Sequence, residues 1–157
     1  MKFRLVDKIT SCVAESHITG VKALSLEEYF LMRPLGVRNE FPPTLMAESL
    51  FQLGNYLIYS TWNDKLGNLV MFNSIEIIEP LVAGKIMEMR VDLISRIDDT
   101  VKLNGTGWID GRTAIRGMGC VATLLDIEQL VNPEKFDFQF RGLCESHFYG
   151  ESHESAS

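Results

Sequence analysis

The sequence predicts an α+β domain in which one antiparallel sheet wraps a single long helix. Three observations carry that expectation. No charged residue lies between Glu48 and Asp64, and Met46, Leu50, Leu53 and Leu57 recur there at helical spacing. Met87, Met89, Val91 and Leu93, by contrast, alternate with Glu88, Arg90 and Asp92, the period of a half-buried strand. Extended segments stand on both sides of the helix, and Asp110-Gly111 is a good hairpin turn between the last two.

Taken in order, residues 3–10 and roughly 12–24 read as strands, the second rich in β-formers such as Val13, Ile18, Thr19 and Val21. Ser25-Leu26-Glu27-Glu28 has the form of a capping box, with Ser25 as N-cap and Glu28 three residues on. Residues 31–43 hold Pro34, Gly36, Pro42 and Pro43 and read as an irregular loop. The helix is expected over about 42–63, because proline is tolerated in a first turn whose N–H groups lack intrahelical acceptors. Glu48, Gln52, Asn55 and Tyr59 form a second stripe on it. A helix so poor in charge is expected to be covered on most sides. Strands follow at 68–79, 85–97, 100–109 and 112–125, with a connection from Glu79-Pro80 to Gly84. Asp126 to Leu130 and Asn132-Pro133-Glu134 read as a short helix and linker. Phe136, Phe138 and Phe140 alternate with polar residues, which predicts an added strand or clamp. Residues 151–157 read as a frayed tail. The division is a domain over 1–130 and an extension with tail over 131–157. A sheet of this kind covers one side of the helix, so dimerisation is the natural way to complete the core.

Composition narrows the function. With 157 residues, 46% hydrophobic and 23% charged, the chain can bury a core without disulfide or metal staples. Its net charge of -6 excludes a general nucleic-acid or anionic-membrane binder, which needs basic excess. Cys12, Cys120 and Cys144 are odd in number and widely spaced, which argues against a disulfide framework or a zinc site. The charged N-terminus has no signal-peptide apolar region. The longest uncharged run, 49–63, is too short and polar to span a bilayer. The expectation is a soluble, cytoplasmic protein with reduced cysteines and no metal.

Over about residues 3–125 the order of elements resembles the hotdog fold, and specifically the 3-hydroxyacyl-ACP dehydratases of fatty-acid and polyketide synthesis. Phe3-Arg4-Leu5-Val6-Asp7-Lys8-Ile9 resembles that family's opening strand. Gly20-Val21-Lys22-Ala23-Leu24-Ser25 with Glu28-Tyr29-Phe30 resembles the approach to its active-site loop. Phe41-Pro42-Pro43-Thr44-Leu45-Met46-Ala47-Glu48-Ser49-Leu50-Phe51-Gln52 resembles its helix start, usually Met-Pro-Gly-Val-Leu-x-x-Glu-Ala-Leu-x-Gln. Phe72 to Leu93, with Pro80 and Gly84, resembles its next two strands and their connection.

The resemblance implies a site of the form His-Phe-Pro-Gly-x-Pro-x-x-Pro-Gly-x-x-x-x-Glu. The histidine takes the α-carbon proton, the acidic residue helps expel the hydroxyl as water, and the second glycine's N–H holds the thioester oxygen. Counting back from Glu48, the histidine position falls on Pro34, or on Arg33 if the loop shifts by one. Arginine stays protonated at neutral pH and is no base. The glycine position falls on Pro43, which has no N–H. Deleting a general base costs about 10²–10⁴ in rate. Losing one oxyanion donor costs about 10²–10³. Glu48 and Gln52 match the family's helix. His17 lies in a strand outside the motif, and His147 and His153 lie toward the tail. In the family's carrier-docking stretch, here Ser95 to Leu103, Arg96 and Lys102 suit an acidic carrier while Asp98 and Asp99 oppose it.

Three functions stay open at this point. One is a dehydratase-like subunit without the catalytic histidine, pairing with a histidine-bearing dehydratase in a fatty-acid or polyene-type pathway. Glu48 is then its retained acid, with Gln52 beside it. The second is an acyl-thioester hydrolase using Glu48 as base or nucleophile, a Thr44 N–H as donor and Asn39 to orient water. The third is a non-catalytic acyl-thioester-binding homodimer. All three take an acyl carrier protein or CoA thioester and need no cofactor.

Overall fold

The computed structural model describes residues 4–28 and 40–148. Arg33, Pro34 and Asn39, and the tail at 151–157, lie outside the described residues. The strands are β1 (Lys8–Val13), β2 (His17–Ala23), β3 (Lys65–Met71), β4 (Ser74–Ile77), β5 (Ile86–Ile97), β6 (Thr100–Ile109) and β7 (Arg112–Asp126). The helices are α1 (Pro43–Thr61), α2 (Ile127–Leu130) and α3 (Pro133–Phe148). One antiparallel sheet runs in the order β1-β2-β5-β6-β7-β3, with β4 also paired to β7. This is the predicted α+β arrangement, and α1 is its central helix.

Alternation builds the sheet. Met87, Met89 and Val91 of β5 and Val101, Leu103 and Ile109 of β6 point inward and are buried. Asp110 (φ 51°) and Gly111 (φ 76°) make the β6–β7 turn with both central residues left-handed, which asparagine, aspartate and glycine tolerate best. The capping box also forms. The Glu28 N–H donates to Ser25 Oγ at 3.1 Å, and the Ser25 N–H to Glu28 Oε2 at 3.4 Å.

The strand expected over 68–79 is two strands. The reason lies in β7, which carries a bulge. Leu103 faces Cys120 and Gly105 faces Gly117, so Met118 and Gly119 together oppose Asn104. The Gly119 N–H donates to Asn104 Oδ1 at 2.8 Å. The bend divides the partner strand. β3 pairs with residues 121–126 and β4 with 115–118, and Asn73 turns between them with its N–H toward the Met118 carbonyl.

Helix α1 is covered on most sides, as its missing charge requires. Met46, Leu53, Leu57 and Ile58 are fully buried. The Trp62 N–H closes the helix on the Ile58 carbonyl at 2.8 Å. The remaining face meets α3, which corrects the reading of Phe136, Phe138 and Phe140 as an added strand. Asn132 caps the helix, its Oδ1 accepting the Lys135 N–H at 3.0 Å, and Pro133 fills the first turn. Capping outweighs a three-residue alternation. Phe136 and Phe140, one turn apart, both pack on Tyr56 and Tyr59 with ring centroids 5.1–5.8 Å apart. Phe138, on the other side, is 80% exposed. The clamp exists, but it is helical.

Candidate functional site

Between α1 and the sheet lies a cleft of about 410 Å³. Its roof is the start of α1, from Pro43 and Thr44 through Glu48 to Phe51. Its floor is the inward face of β5, β6 and β7, and its outer wall is built from β3, Phe72 and β4. Among the described residues that line it, Thr44, Glu48 and Cys120 carry the polar side chains, and the rest are apolar, glycine or proline. The size and polarity suit an apolar ligand fixed by a few polar groups.

Glu48 sits half-buried at the helix-start end. Gln52, one turn on, is 2% exposed and lies behind it rather than in the cleft wall. The Leu5 N–H donates to Gln52 Oε1 at 2.9 Å, which settles the orientation of the amide. Its Nε2 therefore faces Glu48 and donates to Oε1 at 3.4 Å. Gln52 thus orients the carboxylate and pins the N-terminal segment to the helix.

The first turn has one backbone donor to offer a ligand. Pro42 and Pro43 have no N–H, and the Leu45 and Met46 N–H groups both turn back to the Pro42 carbonyl at 2.9 and 3.2 Å. The Thr44 amide is what is left at the mouth, and Thr44 lines the cleft. Cys120 contributes bulk rather than reactivity. Burial raises its thiol pKa, so it stays protonated at neutral pH.

Lys22 ties Asp7, Glu28 and Phe41 together. Its ammonium is fully buried and donates to both Glu28 carboxylate oxygens, at 2.8 and 2.9 Å, and to Asp7 Oδ2 at 3.4 Å. It also lies 5.6 Å from the centroid of the Phe41 ring. Glu28 and Phe41 flank the segment that carries Arg33, Pro34 and Asn39. The Phe41 N–H in turn donates to the Leu81 carbonyl at 2.6 Å.

The other candidates lie elsewhere. His17 begins β2 opposite Asp92, with Nδ1 2.9 Å from Ser16 Oγ, and no described histidine lines the cleft. The stretch from Ser95 to Lys102 forms the β5–β6 hairpin. There Arg96 lies over the Trp62 ring at 4.5 Å and donates to the Asp98 carbonyl. Sequence reasoning missed Cys120, because the bulge shifts the inward phase of β7 between Gly117 and Cys120. No local pattern announces such a shift. It also missed that Phe72, Ile75 and Ile77 form the cleft's outer wall.

No family model matches the chain. Curated relatives do match it. The 3-hydroxyacyl-(acyl-carrier-protein) dehydratase FabZ of Acinetobacter baumannii is 30% identical over 117 residues, 71% of this chain and 80% of that one. The protein of the same name from Sorangium cellulosum is 27% identical over 128 residues, 79% and 82% of the two chains. Among solved structures, a hot-dog-like protein from Thermanaerovibrio acidaminovorans matches with a TM-score of 0.60 at 14% identity, over 82% of this chain and 92% of that one. A Streptococcus mutans protein bound to acetyl CoA matches with a TM-score of 0.63 at 8% identity, over 80% and 94%. Identities this low speak to the fold alone, and the fold is hotdog. The Acinetobacter relative speaks to descent as well, since the shared positions extend over four-fifths of its length, and the chain therefore belongs to the 3-hydroxyacyl-(acyl-carrier-protein) dehydratase FabZ family.

Proposed function

We propose that this chain is a dehydratase-like subunit that holds an acyl thioester in the cleft and supplies Glu48 as the site's acid, without a catalytic histidine of its own. The observation that carries the reading is an apolar cleft in which Glu48, near the start of α1, is the one carboxylate among the described lining residues. The thioester is delivered on an acyl carrier protein or CoA. Its carbonyl lies near the Thr44 amide, its reacting carbons near Glu48, and its acyl chain along the apolar floor. The base comes from a histidine-bearing homologue that pairs with this chain. Pro34 or Arg33 at the family's histidine position and Pro43 at its glycine position support this division of labour. The site is then shared across a dimer in which the β3 edges meet.

The test is dehydration of 3-hydroxyacyl thioesters by three preparations: the isolated chain, the chain co-expressed with a histidine-bearing homologue, and that complex carrying Glu48→Gln. Expected are little turnover alone, turnover in the complex, and a loss of about 10²–10⁴ with Glu48→Gln at unchanged assembly. Robust turnover by the isolated chain overturns the reading. A second reading rests on the same lone carboxylate. Glu48 is also placed to activate water against a thioester, and hydrolysis of acyl-CoA by the isolated chain, abolished by Glu48→Gln, decides for it. Binding without either reaction identifies a non-catalytic acyl-thioester-binding protein.

A further inference from the structure

Two glycines lie in the floor of the cleft, and nothing in the backbone calls for them. Gly105 of β6 and Gly117 of β7 are cross-strand partners, both buried and both lining the cleft. Neither has positive φ, the conformation that only glycine adopts easily. Neither is required by close packing, which sets them apart from the other buried glycines of the sheet. A Cβ on Gly20 would lie 2.7 Å from the Lys8 carbonyl oxygen, one on Gly67 2.8 Å from Ile58 Cδ1, and one on Gly107 2.7 Å from Ile115 Cγ2. Those three cannot be enlarged without displacing a neighbour. A Cβ on Gly117 would instead lie 3.6 Å from Cys120 Sγ and 4.0 Å from the Gly105 carbonyl oxygen. One on Gly105 would lie 3.4–3.5 Å from the Leu50 methyls and Val91 Cγ2. These are ordinary contacts. Glycine weakens a strand interior and packs nothing. The open floor is at Gly117, whereas at Gly105 the Leu50 methyls and Val91 already close over the backbone and leave room for no more than a methyl group.

We infer that Gly117, facing Gly105 across the strands, sets how long an acyl chain the cleft accepts, with a side chain larger than hydrogen at this position closing it to long chains. This rests on the acyl-thioester reading above. A thioester held at Thr44 and Glu48 has its near carbons against Ala47 and Leu50, and only a longer chain has to cross the glycine floor. Gly117 therefore discriminates by length and leaves the head of the ligand untouched.

The experiment measures binding of butyryl-, octanoyl- and dodecanoyl-pantetheine to the full chain by calorimetry, for the wild type, Gly117→Leu and the double variant Gly105→Ala/Gly117→Ala. The alanine pair fits without clashes and keeps the test valid should Gly117→Leu fold poorly, and circular dichroism and thermal melts check each variant. The wild type is expected to prefer the longer chains. Each variant is expected to lose about tenfold or more in affinity for dodecanoyl-pantetheine while butyryl-pantetheine changes by less than about threefold. Equal loss at all three lengths, or none at any, overturns the inference and leaves the acyl-thioester reading standing. Failure of the wild type to bind any of the three overturns that reading, and the inference with it.

Discussion

Lys22 is the residue whose chemistry departs most from its surroundings. A fully buried ammonium is stable only with partners, and Glu28 and Asp7 supply them while staying about two-fifths exposed themselves. That difference in burial predicts an asymmetry. Glu28→Gln leaves the buried charge with the weaker Asp7 contact, and should cost about 3 kcal/mol, as expected when one partner of a buried pair is removed. The capping bond to the Ser25 N–H survives in this variant, since the amide oxygen still accepts it. Lys22→Met removes the buried charge and leaves two carboxylates that water can reach. It should cost less, about 1–2 kcal/mol. Urea unfolding of the two variants checks the order, and a larger loss for Lys22→Met would show that packing on Phe41, rather than charge, decides this position.

At the scale of elements, α3 gives two expectations. Phe136 is 3% exposed against Tyr56 and Tyr59, so Phe136→Ala should cost about 3–5 kcal/mol. Phe138 faces solvent, so Phe138→Ala should stay within about 0.5 kcal/mol. A strand would have put both on one face and made their costs similar, so thermal melts of the pair discriminate. The second expectation concerns alkaline pH. Burial, with a smaller contribution from Cys12, pushes the Cys144 thiol up to about 11, and burial also raises Cys12 and Tyr56. Tyr59 is raised by burial and by its hydrogen bond to Asp137, which sits beside Arg141. A thiol that binds its proton more tightly when folded contributes stability in full below its unfolded pKa near 8.5. That contribution is lost as pH rises toward about 11. The melting temperature should therefore fall across this window, and Cys144→Ala should flatten the slope whatever it does to the neutral-pH value.

At the scale of the whole molecule, the two edges of the sheet differ. α3 packs on β1 at one edge. At the other, β3 is unpaired on its outer side among the described residues, and Val70, Met71 and Phe72 are 61%, 52% and 47% exposed. An open edge with apolar residues invites pairing with a second chain. Val70→Lys should shift the protein from dimer to monomer in light scattering at micromolar concentration, without unfolding it. A wild-type chain that is already monomeric there would remove the dimer, and with it the shared site.

The parts of this protein that were legible from sequence are those whose cause is local. The period of α1, the alternation of β5, the Asp110-Gly111 turn and the Ser25–Glu28 box each rest on residues a few positions apart. The family resemblance rests on their order, and Glu48 was found because that resemblance sets it at the acidic position of the family's helix. Tertiary structure decided what depends on distant partners. The bulge at Met118-Gly119 divides β3 from β4 and turns Cys120 inward because Asn104 of β6 and Asn73 of the turn between β3 and β4 meet it. The fate of the three phenylalanines was settled by Tyr56 and Tyr59 and by the Asn132 cap. Gly117 looks like any strand glycine until its neighbours are placed around it, because empty space is a property of the fold and leaves no periodic mark on the chain.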